Sequence, residues 1–289
     1  MSKWLWIPIT LIVAFAGDRL LGYGLRQLAE RSDFRYSRLY TGRGEADVVL
    51  LGNSRGLNFY QPYIEEQTGK STLNLSYNAM PVEVGAVLLR DYLERYGAPE
   101  HLIADVTFLD RRNDELVRDF RVYAQFSQRL DSLLHAVDDR IYHGTQVSHL
   151  TRYGGEVGQR MLYYLTRGDE DWLLDRQIAP SVVAASAELD DYRNDYTLGR
   201  VRAFAEVVDE YRAAGTTVSL VINPYYPNFQ RTIRNLDSLA LDVRAATGVP
   251  VLDYSASIVG DENFGDYQHL NKRGAQLYLD RLLSDVGLK

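Results

Sequence analysis

Cysteine is absent from the 289-residue chain. Its absence excludes disulfides, cysteine-ligated zinc, iron–sulfur clusters and a thiol nucleophile, and it leaves either redox compartment open. An excess of basic residues is also missing, because 32 lysines and arginines face 39 aspartates and glutamates, a net charge of −7. Nucleic-acid phosphates require a basic surface, so nucleic acid is not an expected partner.

Metal-binding and phosphate-binding motifs are missing as well. His135, His143 and His149 lack the spacing of a helical zinc motif. Gly69-Lys70-Ser71 resembles the end of a P-loop, but Ile64 stands where the first glycine would be, and the tripeptide precedes a predicted strand. We therefore expect neither a metal nor a cofactor.

One long apolar run is present, at the N-terminus. Residues 4–17 are uncharged, and the run continues to Leu25 interrupted only by Asp18 and Arg19. A helix needs about 20 apolar residues to cross a bilayer, so residues 4–25 predict a transmembrane anchor that contacts lipid. A cleaved signal peptide is the alternative, because Ala14-Phe15-Ala16 has the small-x-small form of a cleavage site, and a secreted protein would result.

The sequence around this segment indicates two opposite orientations. Beyond residues 4–17 the chain carries Arg19, Arg26, Arg31 and Arg35, against Lys3 and the α-amine on the amino-terminal side, and this count favours a cytoplasmic body. A short basic start followed by an apolar segment is instead typical of export. We expect a single-pass membrane protein whose body faces the periplasm or the outside of the cell.

The remainder of the chain alternates short β-rich runs with amphipathic helices, which predicts a parallel sheet covered on both faces. The predicted strands are residues 47–51, 72–77, 102–108, 217–222 and 250–253. Between Asp110 and about Tyr196 the alternation stops, and the pattern predicts a polar helical insertion. The expected organisation is an anchor over 1–25, a linker over 26–45 and an α/β domain over 46–289, with the insertion at about 110–196.

Two short segments carry candidate chemistry. Ser54 follows the first predicted strand directly, within Gly52-Asn53-Ser54-Arg55. A serine hydroxyl needs a base to become a nucleophile, and the sequence offers His269, three residues after Asp266, just before the last helix. A carboxylate at this spacing can orient the imidazole, so Ser54, His269 and Asp266 are the predicted nucleophile, base and orienting acid. Each segment alone is also common as an ordinary turn.

Together these segments resemble the SGNH/GDSL hydrolase superfamily of esterases and O-acyltransferases. The first family block, Gly-Asp-Ser after a strand, corresponds to Gly52-Asn53-Ser54, and the last, Asp-x-x-His, corresponds to Asp266 and His269. The resemblance implies a flavodoxin-like three-layer sandwich with a five-stranded parallel sheet. It also implies an oxyanion hole from the backbone N–H groups of Ser54 and Ala79, where Ala79 stands in place of the usual glycine. The family's side-chain donor would be Asn113, which comes several residues later than the family pattern places it.

An anchored domain of this kind looks most like the membrane-anchored SGNH proteins of bacterial cell-surface polysaccharide O-acylation. That resemblance implies an acyl-ester or glycan substrate and a membrane-bound O-acyltransferase as partner. A non-catalytic scaffold that binds a glycan or a membrane partner is the alternative, because the match to the family's third block is weak. A secreted carbohydrate esterase would follow if the N-terminal segment is cleaved.

Overall fold

The computed structural model describes Trp4 and residues 6–289. Lys3, the basic residue expected before the apolar run, lies outside the described residues. The described chain divides into two compact units. The helical unit runs to Arg43 and resumes over Asp114–Asp169, and the sheet unit consists of Gly44–Asn113 and Glu170–Lys289.

The sheet unit contains five parallel strands. They are β1 (Val48–Leu51), β2 (Thr72–Asn74), β3 (His101–Asp105), β4 (Thr217–Ile222) and β5 (Val251–Asp253). Their order across the sheet is β2-β1-β3-β4-β5, which is the flavodoxin-like order, and Val48 pairs with Thr72 on one side and His101 on the other. The predicted α/β fold with a five-stranded parallel sheet is confirmed.

Helices cover both faces of this sheet. The helices of the sheet unit are α3 (Gln61–Thr68), α4 (Val82–Tyr96), α10 (Pro180–Ser186), α11 (Leu198–Ala213), α12 (Pro227–Thr232), α13 (Leu236–Thr247) and α14 (Lys272–Asp285). On one face α4 and α13 pack against α11, and on the other α3 packs against α14. Because side chains alternate along a strand, Val48 and Leu50 join the core cluster with α14, whereas Leu51 contacts α4 at Gly85.

Strands β2 and β3 end earlier than predicted because side chains at their ends bond to the backbone. The Asn74 amide donates to the carbonyls of Gly56 and Phe59 at 2.9 and 3.1 Å, and its oxygen accepts the N–H of Ser76 at 3.0 Å. Asp105 accepts both the N–H and the hydroxyl of Thr107 at 3.0 and 2.7 Å, which caps a 3-10 turn over Val106–Leu109. The polar ends of both strands therefore form turns at the carboxyl edge of the sheet.

The helical unit consists of α1 (Trp6–Arg31), α2 (Arg35–Tyr40), α5 (Asp114–Asp119), α6 (Arg121–Ala124), α7 (Gln128–Val137), α8 (Asp139–Val147) and α9 (Glu156–Tyr163). Helix α1 has 26 residues and is long and apolar enough to cross a membrane. The segment expected as a linker holds the last turns of α1 and all of α2. Of the segment expected as an insertion, residues 114–169 belong to the helical unit, and α10 belongs to the sheet unit.

A buried ion pair crosses the core of the helical unit. The Arg35 Nε lies 2.9 Å from the Asp169 Oδ2, and the Arg35 backbone N–H donates to the same oxygen at 2.7 Å. Both side chains are almost fully buried, at 2% and 1% exposure. The carboxylate beside Arg35 raises the pKa of this guanidinium against the opposing effect of burial. A charge buried to this degree depends on its partner.

Asp169→Ala should therefore destabilise the protein by about 3–5 kcal/mol, because it leaves the Arg35 charge buried and unpaired. The matched control is Asp33→Ala, which removes a half-exposed carboxylate 2.8 Å from Arg43 and should cost less than about 1 kcal/mol. Denaturant unfolding of the detergent-solubilised protein measures both changes. Equal losses for the two variants would contradict this role for the buried pair.

Candidate active site

The turn that carries Ser54 is packed too tightly for side chains at its two glycines. A Cβ at Gly52 would lie 2.9 Å from the Gly56 Cα, and a Cβ at Gly56 would lie 2.3 Å from the Ser76 hydroxyl. Both distances are shorter than van der Waals contact allows. Glycine at these two positions lets the chain leave β1 and turn at once into the 3-10 turn Ser54–Asn58.

Asn53 fixes the start of this turn. Its side-chain oxygen accepts the N–H of Arg55 at 3.0 Å, and its amide donates to the Thr107 carbonyl at 3.2 Å. Ser54 is the first residue of the turn, and an N–H at this position has no acceptor within the turn. The backbone therefore presents a donor at the residue that also carries the hydroxyl.

A second loop, between β5 and α14, presents His269. Asp266 organises the loop by accepting the N–H groups of Gln268 and His269 at 2.8 and 2.9 Å. The N–H of Gly265 returns to the His269 carbonyl at 2.9 Å, which closes a narrow turn. Asn271 ends the loop as the N-cap of α14, and its side chain accepts the N–H of Gly274 at 3.0 Å.

The two loops bring the three predicted site residues together. The His269 Nδ1 lies 2.9 and 3.0 Å from the two Asp266 carboxylate oxygens, and its Nε2 lies 2.8 Å from the Ser54 Oγ. The side chains of His269 and Asp266 are 26% and 30% exposed, so solvent and small molecules can approach them. This arrangement can pass a proton from a hydroxyl to an imidazole that a carboxylate orients.

Opposing effects act on the Asp266 carboxyl. Burial raises its pKa. The hydrogen bond and the charge interaction with His269, together with two backbone N–H groups, lower the pKa by more than burial raises it. The net result is a pKa below the usual aspartate value. Asp266 is therefore ionised at neutral pH, as a group that orients imidazolium must be.

Ala79 is strained, and it lies in the same cleft as Ser54. Its φ of +52° is in the left-handed region, and it is the only non-glycine residue with positive φ in the described part of the chain. The neighbouring turn closes through the N–H of Met80 and the carbonyl of Tyr77 at 3.2 Å. Left-handed backbone at alanine costs roughly 1–2 kcal/mol and is often retained at functional sites.

Asn113 lies beside Ala79. Its side-chain amide donates to the Ala79 carbonyl at 3.0 Å. This contact supports the turn at Ala79, and Asn113 does not line the cleft in front of Ser54. A direct role of Asn113 as an oxyanion donor stays a prediction.

Arg55 lines the cleft in front of Ser54, although it is not among the predicted site residues. Its side chain is only 3% exposed, with the Nη2 at 3.3 Å from the Asp105 Oδ2 and the guanidinium 3.8 Å from the centre of the Tyr225 ring. The Arg55 carbonyl accepts from Asn223, which in turn accepts the Tyr278 hydroxyl of α14. The only sequence signal for a role of Arg55 in the site is that it directly follows Ser54.

The cleft in front of Ser54 has a volume of about 260 Å³. One wall is polar, and there Asp110 accepts from the Tyr192 hydroxyl at 2.5 Å and pairs with Arg111 at 3.1 Å. Tyr225 and Phe229 contribute rings to the lining, and burial raises the pKa of Tyr225 so that its phenol stays neutral.

Two of the histidines considered as metal ligands do approach each other, in the helical unit. The Nε2 atoms of His135 and His143 lie 2.9 and 3.2 Å from one Asp139 oxygen, and the ligand atoms of the three residues fall within 4.8 Å. His149 is not part of this group. All three side chains are more than half exposed, and the two Asp139 contacts account for the cluster as ordinary hydrogen bonding.

Comparisons with known proteins give limited information. No family model matches the chain, and no curated protein does. Among solved structures, a Bacteroides fragilis NCTC 9343 protein provisionally described as an acylhydrolase aligns over 84% of this chain and 88% of its own. The identity is 12% and the TM-score 0.40, values too low to transfer an activity.

The lowered pKa of Asp266 leads to a pH-dependent stability. The stabilisation from the Asp266 contacts is present above the ordinary carboxyl pKa of about 3.9 and is lost as the pH falls through the lower folded value. Asp266→Asn should therefore lower the melting temperature at neutral pH, and its difference from the unmodified protein should shrink on acidification. Asp190→Asn, at an exposed carboxylate, should show a small and constant difference. A difference for Asp266→Asn that stays constant at acid pH would contradict the assignment.

Proposed function

We propose that this protein is a serine-dependent acyl-transfer enzyme of the SGNH type. The observation that supports the proposal is the continuous set of contacts from the Ser54 hydroxyl through His269 to Asp266. Ser54 attacks an ester carbonyl while His269 takes the hydroxyl proton and then returns it to the leaving alcohol. A water or sugar hydroxyl next attacks the acyl-serine, with His269 again as base, and Ser54 regains its proton.

The negative charge on the carbonyl oxygen during these steps needs donors. The backbone N–H groups of Ser54 and Ala79 fill this role in the proposal, since both residues line the cleft. The sequence departs from the family pattern at two positions here: Asn53 precedes the serine in place of aspartate, and Ala79 stands in place of glycine. Neither change removes a backbone donor, and Asn53 holds the turn through two hydrogen bonds.

The proposed substrate is an O-acyl group on a cell-surface polysaccharide or a related glycan. A cleft of about 260 Å³ with a wall of Asp110, Arg111 and Tyr192 offers donors and acceptors to sugar hydroxyls. Aromatic rings such as Tyr225 and Phe229 suit the apolar face of a sugar. The Arg55 Nη1 has no hydrogen-bond partner in the described chain and adds a donor near the serine.

The proposed location is the membrane, with α1 as a single-pass anchor and the sheet unit on the periplasmic or outer side. The length and apolar character of α1 support the anchor. On that side of the membrane a membrane-bound O-acyltransferase would supply the acyl group, which Ser54 would then transfer. The catalytic steps require no cofactor.

Ser54→Ala should abolish covalent labelling by a fluorophosphonate probe and reduce turnover by roughly 10⁴-fold or more. His269→Ala should be nearly as damaging, because nucleophile and base act as one unit. Ser284→Ala, at an exposed serine of α14, is the matched control and should keep full labelling. Melting temperatures check that the variants are folded. Labelling that persists in Ser54→Ala would remove this residue from the mechanism.

A transferase gains from excluding water and positioning a sugar hydroxyl at the acyl-enzyme. We therefore expect slow hydrolysis of small aryl acetates and a higher rate of aryl-alcohol release when an oligosaccharide acceptor is added. Mass spectrometry should detect the acylated sugar, and the Ser54→Ala protein serves as the blank. Fast hydrolysis that is unaffected by any acceptor and yields only free acid would make the protein an esterase.

A further inference from the structure

Helix α1 contains a carboxylate, Asp18, that accepts hydrogen bonds from one turn of the helical unit. Asp18 accepts hydrogen bonds from the Ser148 hydroxyl at 2.5 Å and from the N–H groups of His149 and Leu150 at 2.9 and 3.2 Å. Its side chain is 15% exposed. Arg19 donates to the Val147 carbonyl at 3.0 Å. Residues 147–150 therefore form a turn that satisfies the charges interrupting the apolar run.

The position of Asp18 along α1 places this turn within the thickness of a bilayer. From Trp6 to Asp18 the helix rises only about 18 Å, whereas the hydrocarbon core is about 30 Å thick. To cross it, α1 has to use the following turns as well, because about 30 Å of helix counted from Trp6 ends near Arg26. The exposed side chains of Leu20, Leu21 and Tyr23 suit that environment. A carboxylate at this depth needs internal partners, and the turn supplies them.

The outward side chains of the same turn are apolar. The side chains of Val147 and Leu150 are exposed, at 74% and 38%. The backbone of both residues bonds to α1, through the Val147 carbonyl and the Leu150 N–H. Close packing continues one turn further along α1, because a Cβ at Gly22 would lie 2.4 Å from the His149 Cβ. The exposed residues of the turn are thus continuous with the apolar surface of the helix. Exposed apolar residues next to a membrane helix are most simply accommodated by lipid.

A groove rich in arginine follows on the same unit. It has a volume of about 470 Å³, and Arg26, Arg121 and Arg152 line it together with a single acid, Asp131. Arg26 lies about 30 Å along the helix from Trp6, which corresponds to the boundary between the hydrocarbon core and the headgroup layer. Glutamine and serine side chains supply further donors along the lining.

The charges in this groove are incompletely balanced. Arg26 pairs with Glu30 at 3.0 Å, and the Arg121 Nε is buried with no hydrogen-bond partner in the described part of the chain. Burial lowers the pKa of Arg152, and the positive charges of Arg19 and Arg26 act in the same direction, against the raising effects of Tyr153 and Asp131. An anion between the arginines would relieve this repulsion and accept the unused donor.

We propose that the helical unit is partly immersed in the membrane, with residues 147–150 inserted beside α1 and the groove at Arg26, Arg121 and Arg152 holding the phosphate of an anionic phospholipid. The inference rests on the proposed membrane location of α1. It does not depend on the acyl-transfer chemistry. Each part has its own experiment.

The absence of native cysteine allows single nitroxide labels on the full chain in nanodiscs. Phe15→Cys reports the anchor, and Val147→Cys and Leu150→Cys report the turn. Leu241→Cys, at a leucine with 64% exposure in the sheet unit, is the control. We expect the first three labels to be accessible to oxygen and shielded from a water-soluble nickel reagent, and the control label to show the reverse.

The outcomes separate the inference from the proposal it rests on. Shielding at Phe15 with nickel access at Val147 and Leu150 would overturn the immersed turn and leave the anchor standing. Nickel access at Phe15 would overturn the anchor itself. Oxygen access at Leu241 equal to that at Val147 would show that the label reports exposed apolar surface in general, and it would also overturn the inference.

The headgroup site is tested by titrating the detergent-solubilised protein with short-chain phosphatidylglycerol, short-chain phosphatidylcholine or inorganic phosphate. We expect phosphatidylglycerol to bind most tightly, and Arg121→Gln and Arg152→Gln each to weaken it about fivefold, the effect of one basic residue near an anionic surface. Arg160→Gln, at an exposed arginine of α9 paired with Glu156, is the control and should bind normally.

Equal binding of the two lipids, or unchanged binding in both arginine variants, would overturn the headgroup site. Phosphate that binds as tightly as phosphatidylglycerol would assign the groove to a free anion and overturn the lipid. Circular dichroism of each variant confirms that a loss of binding is not a loss of folding.

Discussion

The turn that follows β1, from Gly52 to Gly56, packs against Asp105 at the end of β3 and against Ser76 just after β2. This close packing determines the geometry of the candidate site. Gly52 and Gly56 allow the approach because a Cβ at either position would overlap its neighbours. The side-chain amides of Asn53 and Asn74 then donate to the backbone carbonyls of Thr107 and Gly56, which holds the turn in place. The serine is thus held by the backbone, which fixes the hydroxyl more firmly than a flexible loop would.

Each unit contains a buried ion pair between an arginine and an aspartate. Arg55 is paired with Asp105 under the Ser54 turn, and Arg35 is paired with Asp169 in the helical unit. Desolvation makes such pairs weak contributors to stability when intact, but removal of one partner is expensive. Arg55 also lines the cleft in front of Ser54, so the turn and the cleft share this buried charge.

The sheet unit and the helical unit use their polar groups for different ends. At the carboxyl edge of the sheet, the polar groups converge on a cleft with a hydroxyl, an imidazole and a carboxylate in contact. In the helical unit, polar groups satisfy Asp18 within the apolar run of α1, which Arg19 also interrupts. In both cases a group that is costly to bury is retained because a specific turn supplies its partners.

Periodicity, turn residues and spacing are encoded within a few neighbouring positions, so the strand and helix pattern, the apolar N-terminal helix and the motifs of Ser54 and Asp266-x-x-His269 are predictable from the sequence. The predicted β2 and β3 are too long, because Asn74 and Asp105 end these strands through bonds to the backbone. The pairing of Arg55 with Asp105, 50 residues apart, and of Asp18 with Ser148, 130 residues apart, becomes visible only in the folded chain. Such contacts depend on how distant segments pack, and no local pattern records that.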